Sequence, residues 1–293
     1  MNQFKTVALL GLLSGLLVAV GYYLGGSGGA LMGLLFAAAT NLFSWYQSDK
    51  IALAAYGAQP ITPAEAPGLY NMVKKLSDRA QLPMPRLYIV PSPSPNAFAT
   101  GRDPEHAAIA VTQGIIQLLP EDELEAVIAH ELSHVKNRDT FTQAVAATIA
   151  GAISWLAQVL QYSLFWGGSR DDREGGNPLG LLVGIFVAPL AATIIQMGIS
   201  RTREFAADNG SAELTGNPRA LARALQRLEA GAQQIPLEAN PAFAPLLIVE
   251  SRSGQFLVNL FRTHPDTQSR IENLLKVEKE MQAQGRLTNS MGF

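Results

Sequence analysis

The sequence contains no cysteine, and only 16% of its 293 residues are charged. The absence of cysteine excludes disulfide bonds, thiolate metal ligands and cysteine nucleophiles. The formal net charge is −2 and no basic cluster stands out, so a nucleic-acid partner is not expected. With 48% hydrophobic residues, the chain is apolar for a soluble protein of this length.

Charged residues are missing entirely from three long stretches, 6–48, 140–169 and 175–200. A membrane-spanning helix needs about 20 apolar residues, so the first stretch is long enough for two crossings and each of the others for one. The glycine-rich residues 25–29 are typical of a turn. The sequence therefore predicts four transmembrane helices in two hairpins. A wholly apolar helix in the core of a soluble protein is usually shorter than these stretches. A cleaved signal peptide is also disfavoured, because the N-terminus has Lys5 as its single basic residue and no clear cleavage site follows.

Lysine and arginine are concentrated outside the hairpins. Eight lie between residues 47 and 142 and eleven follow residue 200, whereas the loop between the first two predicted spans has none. Under the positive-inside rule, both of these segments and the N-terminus lie in the cytoplasm. We therefore expect a multi-pass protein of the plasma membrane, with the lipid bilayer as a partner and both termini cytoplasmic.

The soluble segments predict a mainly helical protein with a small β-sheet, an α+β fold. Strand patterns cover residues 86–90, 97–100 and 108–112. Helices are predicted from a capping box at 62–65 to about residue 80, from Pro120, from Asn217, and from Asp266 to about Ala283. The apolar segment 236–256 is too short to span a membrane. Two interpretations stay open: it lies on the membrane surface, or it covers the functional site.

Residues 130–134 are His-Glu-Leu-Ser-His, on the helix predicted to begin at Pro120. His130 and His134 are four residues apart, so both imidazoles project from the same helical face and can bind one metal ion. In a zinc hydrolase with this spacing, Glu131 takes a proton from the attacking water and passes it to the leaving amine. The alternative is a surface helix that carries this pattern by chance. Chance occurrence is rare in this chain, because it contains only four histidines.

A catalytic zinc site needs a third protein ligand, and the scarcity of histidine favours a carboxylate. Glu204 and Asp208 are also four residues apart, directly after the fourth predicted span. The helix of His130 leads into the third span and the fourth span returns to the same surface, so the hairpin should bring the two helices together. We predict that Glu204 is the third ligand of one zinc ion per chain. Asp208 would accept a hydrogen bond from a ligand histidine; a solvated helix face is the alternative.

Four groups of residues carry a resemblance to a known family. They are Pro-Asn-Ala-Phe-Ala-Thr-Gly at 95–101, the His-Glu-Leu-Ser-His run through Asp139, Arg-Glu-Phe-Ala-Ala-Asp at 203–208, and Thr-His-Pro at 263–265 with Arg270-Ile271. With these groups the chain resembles the HtpX-type membrane metalloproteases, in the family that includes the CAAX prenyl endopeptidases. The resemblance implies zinc-dependent endoproteolysis of misfolded or damaged membrane proteins at the cytoplasmic face of a bacterial inner membrane.

The uncharged stretches divide the chain into membrane hairpins at 1–48 and 140–200 and two soluble segments. The resemblance implies that the soluble segments, 49–139 and 201–293, form a zincin-like catalytic domain of the gluzincin type.

The resemblance assigns roles to weaker features as well. His264 would hydrogen-bond the oxyanion of the tetrahedral intermediate. An edge strand would take up the substrate backbone by β-addition, through residues Asn96, Ala97, Phe98 and Ala99. Without the resemblance, the first is a histidine before proline and the second a short strand between loops. Asp139 is left outside the predicted site, and His106 is expected to be an exposed loop residue.

Two other functions remain as alternatives. In a membrane scaffold or chaperone, zinc would only tie helices together, but structural zinc sites usually have four protein ligands, often cysteines, which this chain lacks. In a prenyl-protein endopeptidase, the substrate would be a lipidated tail, and four short spans are few to enclose a lipid chamber. Two histidines and a carboxylate also suit divalent ions other than zinc.

Overall fold

The computed structural model describes residues 2–143, 145–146, 201–235, 246–248 and 265–286. Apart from its first residues, the predicted second hairpin at 140–200 lies outside the described residues, and so does His264.

The first helix, α1, runs from Asn2 to Ala55 and is broken in its middle. Gly25 and Gly26 have non-helical backbone angles, and Gly26 has a φ of 57°, which glycine adopts without the steric cost of a Cβ atom. Beyond this break, the Asn41 side chain donates a hydrogen bond to Ser14 Oγ at 2.9 Å. The two legs of α1 therefore fold back on each other, with the turn inside the glycine-rich segment predicted for it.

The second leg of α1 is apolar on its outer surface. Gly25–Phe43 is the one stretch among the described residues that is long and apolar enough to cross a membrane, with a mean hydropathy of 1.3. Only 6% of it is buried against other parts of the protein, and side chains such as Leu35 and Phe36 are exposed. A continuous apolar surface of this kind suits hydrocarbon better than water. Of the four predicted spans, the described residues thus contain one candidate.

A four-stranded sheet follows α1. Its strands are β1 (Gln59–Pro60), β2 (Arg86–Val90), β3 (Ala97–Thr100) and β4 (Ala108–Thr112), in the spatial order β1-β2-β4-β3. β2 and β4 are parallel, whereas β1 and β3 are antiparallel to their neighbours. The last three strands occupy the predicted residues. β3 forms one edge of the sheet, which matters for the functional site.

Both faces of the sheet are covered, because successive side chains of a strand point to opposite sides. On β3, Ala97 and Ala99 belong to the main hydrophobic core, which the helices complete. Phe98 points the other way and contacts Tyr56 at the end of α1, with their ring centroids 5.0 Å apart. The sheet therefore joins the end of the N-terminal hairpin to the helical core.

The helices after α1 are α2 (Pro67–Ala80), α3 (Gln113–Leu118), α4 (Glu121–Lys136), α5 (Arg201–Thr215), α6 (Pro218–Gln234) and α7 (Thr267–Ala283). The predicted start of α2 was wrong. Glu65 does accept hydrogen bonds from Thr62, but they close an isolated turn, and the helix begins only at Pro67. Proline disfavours the helical conformation in the residue before it, and Ala66 has a φ of −142°.

Helix α4 is the central element of the helical core. Almost every residue from Glu123 to Val135 is buried, because β3, α2, α5 and α6 all pack against this helix. Even Glu123, in the acidic first turn, is 1% exposed. Its carboxylate pairs with Arg223 and Arg227 of α6 at 3.1 and 2.9 Å. The His-Glu-Leu-Ser-His sequence thus lies inside the protein.

Candidate metal centre

Helices α4 and α5 touch closely because small side chains face each other where they cross. A Cβ atom added to Gly210 of α5 would lie 2.4 Å from the Ser133 hydroxyl of α4. Nearby, the Ser211 hydroxyl donates a hydrogen bond to the Ala126 carbonyl at 2.6 Å. A larger residue at position 210 would push the helices apart. This close contact brings Glu204, which precedes Gly210 by fewer than two helical turns on α5, to the histidines of α4.

The three predicted metal ligands lie together. One potential ligand atom from each of His130, His134 and Glu204 lies within 4.8 Å of the others. The Nε2 atoms of the two histidines are 3.2 Å apart, and the carboxylate oxygens of Glu204 are 3.7 Å and 3.5 Å from the Nε2 atoms of His130 and His134. All three side chains are buried. Two imidazoles and a carboxylate converging in this way form a candidate site for a divalent metal ion.

Each histidine has a second carboxylate at its other ring nitrogen. Nδ1 of His130 is 3.0 Å from Asp208, and Nδ1 of His134 is 3.1 Å from Asp139. A hydrogen bond from Nδ1–H to a carboxylate fixes the tautomer that leaves Nε2 free for a metal. Asp208 thus lies where its predicted role requires. Asp139 is 1% exposed, although the sequence analysis left it outside the site. Arg138, with a φ of 57°, turns the chain after α4 and brings Asp139 back to His134.

Arg270 of α7 is a further member of the site, and the sequence analysis gave it no role. Its side chain is 2% exposed. Its Nε and Nη2 atoms donate hydrogen bonds to the two oxygens of Asp208 at 3.0 and 2.7 Å, and Nη1 lies 3.9 Å from Glu204. A buried guanidinium group is costly unless it is paired, and this two-point contact provides the pairing.

Arg203 of α5 is the second buried arginine of the site. Its Nε atom lies 3.9 Å from the Asp139 carboxylate, which is too far for a hydrogen bond. Among the described residues, its guanidinium nitrogens have no hydrogen-bond partner. Burial lowers the pKa of Arg203, and the charges of Asp139 and Glu204 oppose that effect. Within the described parts of the chain, Arg203 therefore acts on the site by charge rather than through a directed contact.

The charges of the buried cluster fit a divalent cation. Among the described residues, four buried carboxylates face two buried guanidinium groups, which leaves an excess of two negative charges that a divalent metal ion would offset. The carboxylates are those of Glu131, Asp139, Glu204 and Asp208, and the guanidinium groups are those of Arg203 and Arg270.

Without a metal ion, a proton takes its place on His130. Burial by itself lowers the pKa of His130, but hydrogen bonds to Asp208 and Glu204 outweigh it and raise the pKa to about 9. Burial likewise acts to raise the pKa of Asp208, but the charge of Arg270 and the contact with His130 outweigh it, and the pKa is lowered. The chain thus keeps Asp208 ionised and strongly attracts positive charge to His130.

Glu131 lies between the two histidines in sequence and is 3% exposed. Burial raises the pKa of its carboxyl group, and the nearby histidines and the backbone N–H of Ala99 partly oppose that effect. A carboxylate with a raised pKa accepts and releases a proton closer to neutral pH than an exposed one. The surroundings of Glu131 therefore suit a group that takes up a proton and then returns it.

The edge strand β3 runs beside this carboxylate. The backbone N–H of Ala99 points toward Glu131, and the carbonyl of Ala97 accepts a hydrogen bond from the backbone N–H of Ile248 at 3.2 Å. The side-chain oxygen of Asn96 accepts from the same N–H at 3.0 Å. The residues predicted to bind substrate thus lie at the sheet edge next to the candidate metal centre. Their role in substrate binding stays a prediction.

The remaining two histidines are not part of the described cluster. His106 is exposed in a turn with Asp103, as expected for a loop residue. His264 lies outside the described residues, so its predicted contact with the oxyanion stays a prediction.

Comparison with known proteins identifies the family. The pattern of peptidase family M48 matches residues 63–278. The chain is 70% identical over 282 residues to "Protease HtpX homolog" of Nostoc punctiforme, covering 96% of this chain and 98% of that protein. It is 48% identical over 278 residues to the protein of the same name from Pyrococcus furiosus, covering 94% of this chain and 96% of that one.

A solved structure shares the fold. The crystal structure of Ste24p from S. mikatae superposes with a TM-score of 0.51 at 17% identity, covering 93% of this chain and 65% of that chain. At this identity the match shows a common fold only, mostly helical with a small mixed sheet. A family match of this length, relatives named as proteases and a His-His-Glu cluster on adjoining helices agree with one another. The chain belongs to peptidase family M48 and is a membrane metalloprotease.

Proposed function

We propose that the chain is a zinc-dependent endopeptidase with one zinc ion per chain, which cleaves unfolded or damaged membrane proteins at the cytoplasmic face of a bacterial inner membrane. The observation that carries the proposal is the convergence of His130, His134 and Glu204, whose potential ligand atoms lie within 4.8 Å of one another. A scaffold function is less well supported, because three ligands leave a coordination position open, whereas a structural zinc site usually has four protein ligands.

Each residue of the proposed site has a defined task. His130, His134 and Glu204 would hold the ion, which supplies Lewis acidity to water and to the scissile carbonyl. Glu131 takes a proton from the attacking water and delivers it to the leaving amine. Asp208 orients His130, and His264 would hydrogen-bond the oxyanion.

The substrate would bind as an extended strand. β3 is an edge strand beside Glu131, and a peptide paired with it would place its backbone next to the general base. Recognition through backbone groups depends little on substrate sequence. This suits a protease for unfolded segments, and the apolar leg Gly25–Phe43 suits a site held at the membrane surface.

Replacing the general base tests the chemistry. We expect Glu131→Gln to lower the cleavage rate of an unfolded membrane protein by about 100-fold or more while the zinc content stays at one per chain. Glu125→Gln, on the same helix but paired with Lys75 away from the site, is the matched control and should keep full activity. Undiminished cleavage by the Glu131 variant would exclude it as the base, and metal analysis showing no bound zinc would exclude the proposed cofactor.

The absence of cysteine offers a direct test of the proposed topology. Single cysteines at Ser27 and at Lys279 can be labelled in intact cells with a maleimide that does not cross membranes. We expect labelling at position 27, in the first hairpin turn, and none at position 279 until the cells are opened. The reverse pattern would place the site on the outer face of the membrane.

A further inference from the structure

Residues 246–248 lie against the edge of the sheet where a substrate would bind. Leu246, Leu247 and Ile248 are 5%, 3% and 3% exposed. Leu246 and Leu247 pack in the cluster that contains Phe98, whereas Ile248 belongs to the core on the other face of the sheet. The segment therefore passes the rim of β3 with side chains packed on both faces of the sheet.

The contact with β3 uses its outward-facing backbone group. The Asn96 carbonyl accepts a hydrogen bond from Thr112 of the neighbouring segment, so the next residue, Ala97, directs its own carbonyl away from β4. That outward carbonyl accepts from the N–H of Ile248 at 3.2 Å. The Asn96 side-chain oxygen accepts from the same N–H at 3.0 Å. The backbone N–H of Ile248 thus occupies two acceptors at this end of β3, the Ala97 carbonyl and the Asn96 side-chain oxygen.

The same segment is tied to the metal centre. The carbonyl of Ile248 accepts a hydrogen bond from Nη1 of Arg270 at 3.3 Å. The other donors of Arg270 hold Asp208, which in turn contacts His130. Residue 248 is therefore fixed on both sides, by its N–H to the sheet edge and by its carbonyl to the support of a proposed metal ligand.

We propose that residues 246–248 form an autoinhibitory strap, which holds the substrate-binding edge of β3 in the described state and has to leave it before a substrate strand can pair there. The inference rests on the proposed function of β3 as the substrate-binding strand. An added strand needs the outward carbonyl of Ala97 as an acceptor, and Ile248 already uses it. Release of the strap would also free one donor of Arg270. Of the apolar segment 236–256, the described residues 246–248 would thus cover the site.

Removing the strap's N–H is the first test. Ile248→Pro lacks the donor, whereas Ile248→Ala keeps it and loses only side-chain volume. One net hydrogen bond shifts an equilibrium by about two- to tenfold, so the proline variant should exceed the alanine variant by that factor in kcat/KM for an extended peptide. Equal or lower activity in a proline variant with unchanged thermal unfolding would overturn the proposal.

A reversible lock is the second test, and it decides the matter if the proline variant is unstable. In a chain without cysteine, the double substitution Ala97→Cys and Ile248→Cys creates a single possible disulfide, and the backbone contact places the two residues as close as paired strands. We expect the oxidised protein to be at least tenfold less active than the same protein after reduction. Activity that is equal in the oxidised and reduced states would overturn the proposal.

A binding measurement separates this proposal from the proposed chemistry. In a Glu131→Gln background, a fluorescent extended peptide should bind more tightly to the protein with Ile248→Pro than to that with Ile248→Ala, by the same two- to tenfold. If the wild-type chain shows no chelator-sensitive cleavage but this difference is found, the protease proposal fails and the strap stands. If cleavage is found and the difference is not, only the strap fails.

Discussion

The two histidines of the metal centre are supported in different ways. Nδ1 of His134 contacts Asp139, five residues further along the chain. Nε of Arg203 lies 3.9 Å from that carboxylate, too far for a hydrogen bond. His130 rests on Asp208, from a different helix, and Arg270 holds that aspartate at two points from a third helix. One support is local, and the other is assembled from distant parts of the chain.

This difference indicates where the metal centre depends on the fold. The support of His134 forms once α4 and the turn after it have formed. The support of His130 requires α4, α5 and α7 to pack together, so an ordered His130 reports complete assembly of the helical core. We therefore expect substitutions on the His130 side to change both metal affinity and stability, and those on the His134 side to change stability less.

The aspartates give the largest expected contrast. Asp208→Asn should weaken zinc binding by about 10- to 100-fold. It should also lower the free energy of unfolding by about 3 kcal/mol, because it leaves the buried Arg270 without its charged partner. Asp139→Asn should weaken zinc binding by about tenfold, with a smaller loss of stability than Asp208→Asn. Competition with a chromogenic chelator and thermal unfolding in detergent measure the two effects.

Asp122→Asn makes the same chemical change in an exposed residue at the start of α4 and should alter neither quantity. If Asp139→Asn destabilised the protein as strongly as Asp208→Asn, the distinction between a local and an assembled support would be wrong.

The arginines give an intermediate contrast. Arg270→Lys keeps the charge but loses the two-point contact with Asp208, and we expect it to cost about 2 kcal/mol of stability. Arg203→Lys gives up no directed hydrogen bond within the described structure, so its cost should stay below about 1 kcal/mol. Chemical denaturation of the metal-free proteins compares them, and similar losses in both variants would mean that charge alone matters at both positions.

The pH dependence of zinc binding gives the smallest expected effect. In the metal-free protein the pKa of His130 is raised to about 9, so its protonation stabilises the fold fully below its usual pKa and no longer above pH 9. Zinc must displace this proton, so its affinity should rise about tenfold from pH 7 to pH 8 through this group.

Since Asp208 helps to raise that pKa, Asp208→Asn should flatten the rise between pH 7 and pH 8. Zinc titrations of both proteins across this range measure the effect. An equally steep rise in the variant would show that another group releases the proton.

Local patterns predicted much of the fold and of the site. Three strands were predicted from short strand-like runs bounded by turn-forming residues, and the spacing of His130 and His134 placed both on one face of α4. The start of α2 was predicted wrongly from an equally local pattern, because the effect of Pro67 on Ala66 was not weighed against the capping box. Asp139 was left out because its contact depends on a turn through Arg138 with a positive φ, which no residue pattern announced.

Sequence alone determined the chemistry available to this protein. Helical spacing brings the imidazoles of His130 and His134 and the carboxylate of Glu131 close together, and long uncharged stretches indicate membrane-spanning helices. Both features depend only on residues that are near one another in the sequence. Only the tertiary structure decided that Arg270 holds Asp208, that Gly210 lets α5 approach α4, and that Ile248 covers the edge of β3. These contacts join residues far apart in the chain. They form only when the core packs, and no spacing of residues encodes that packing.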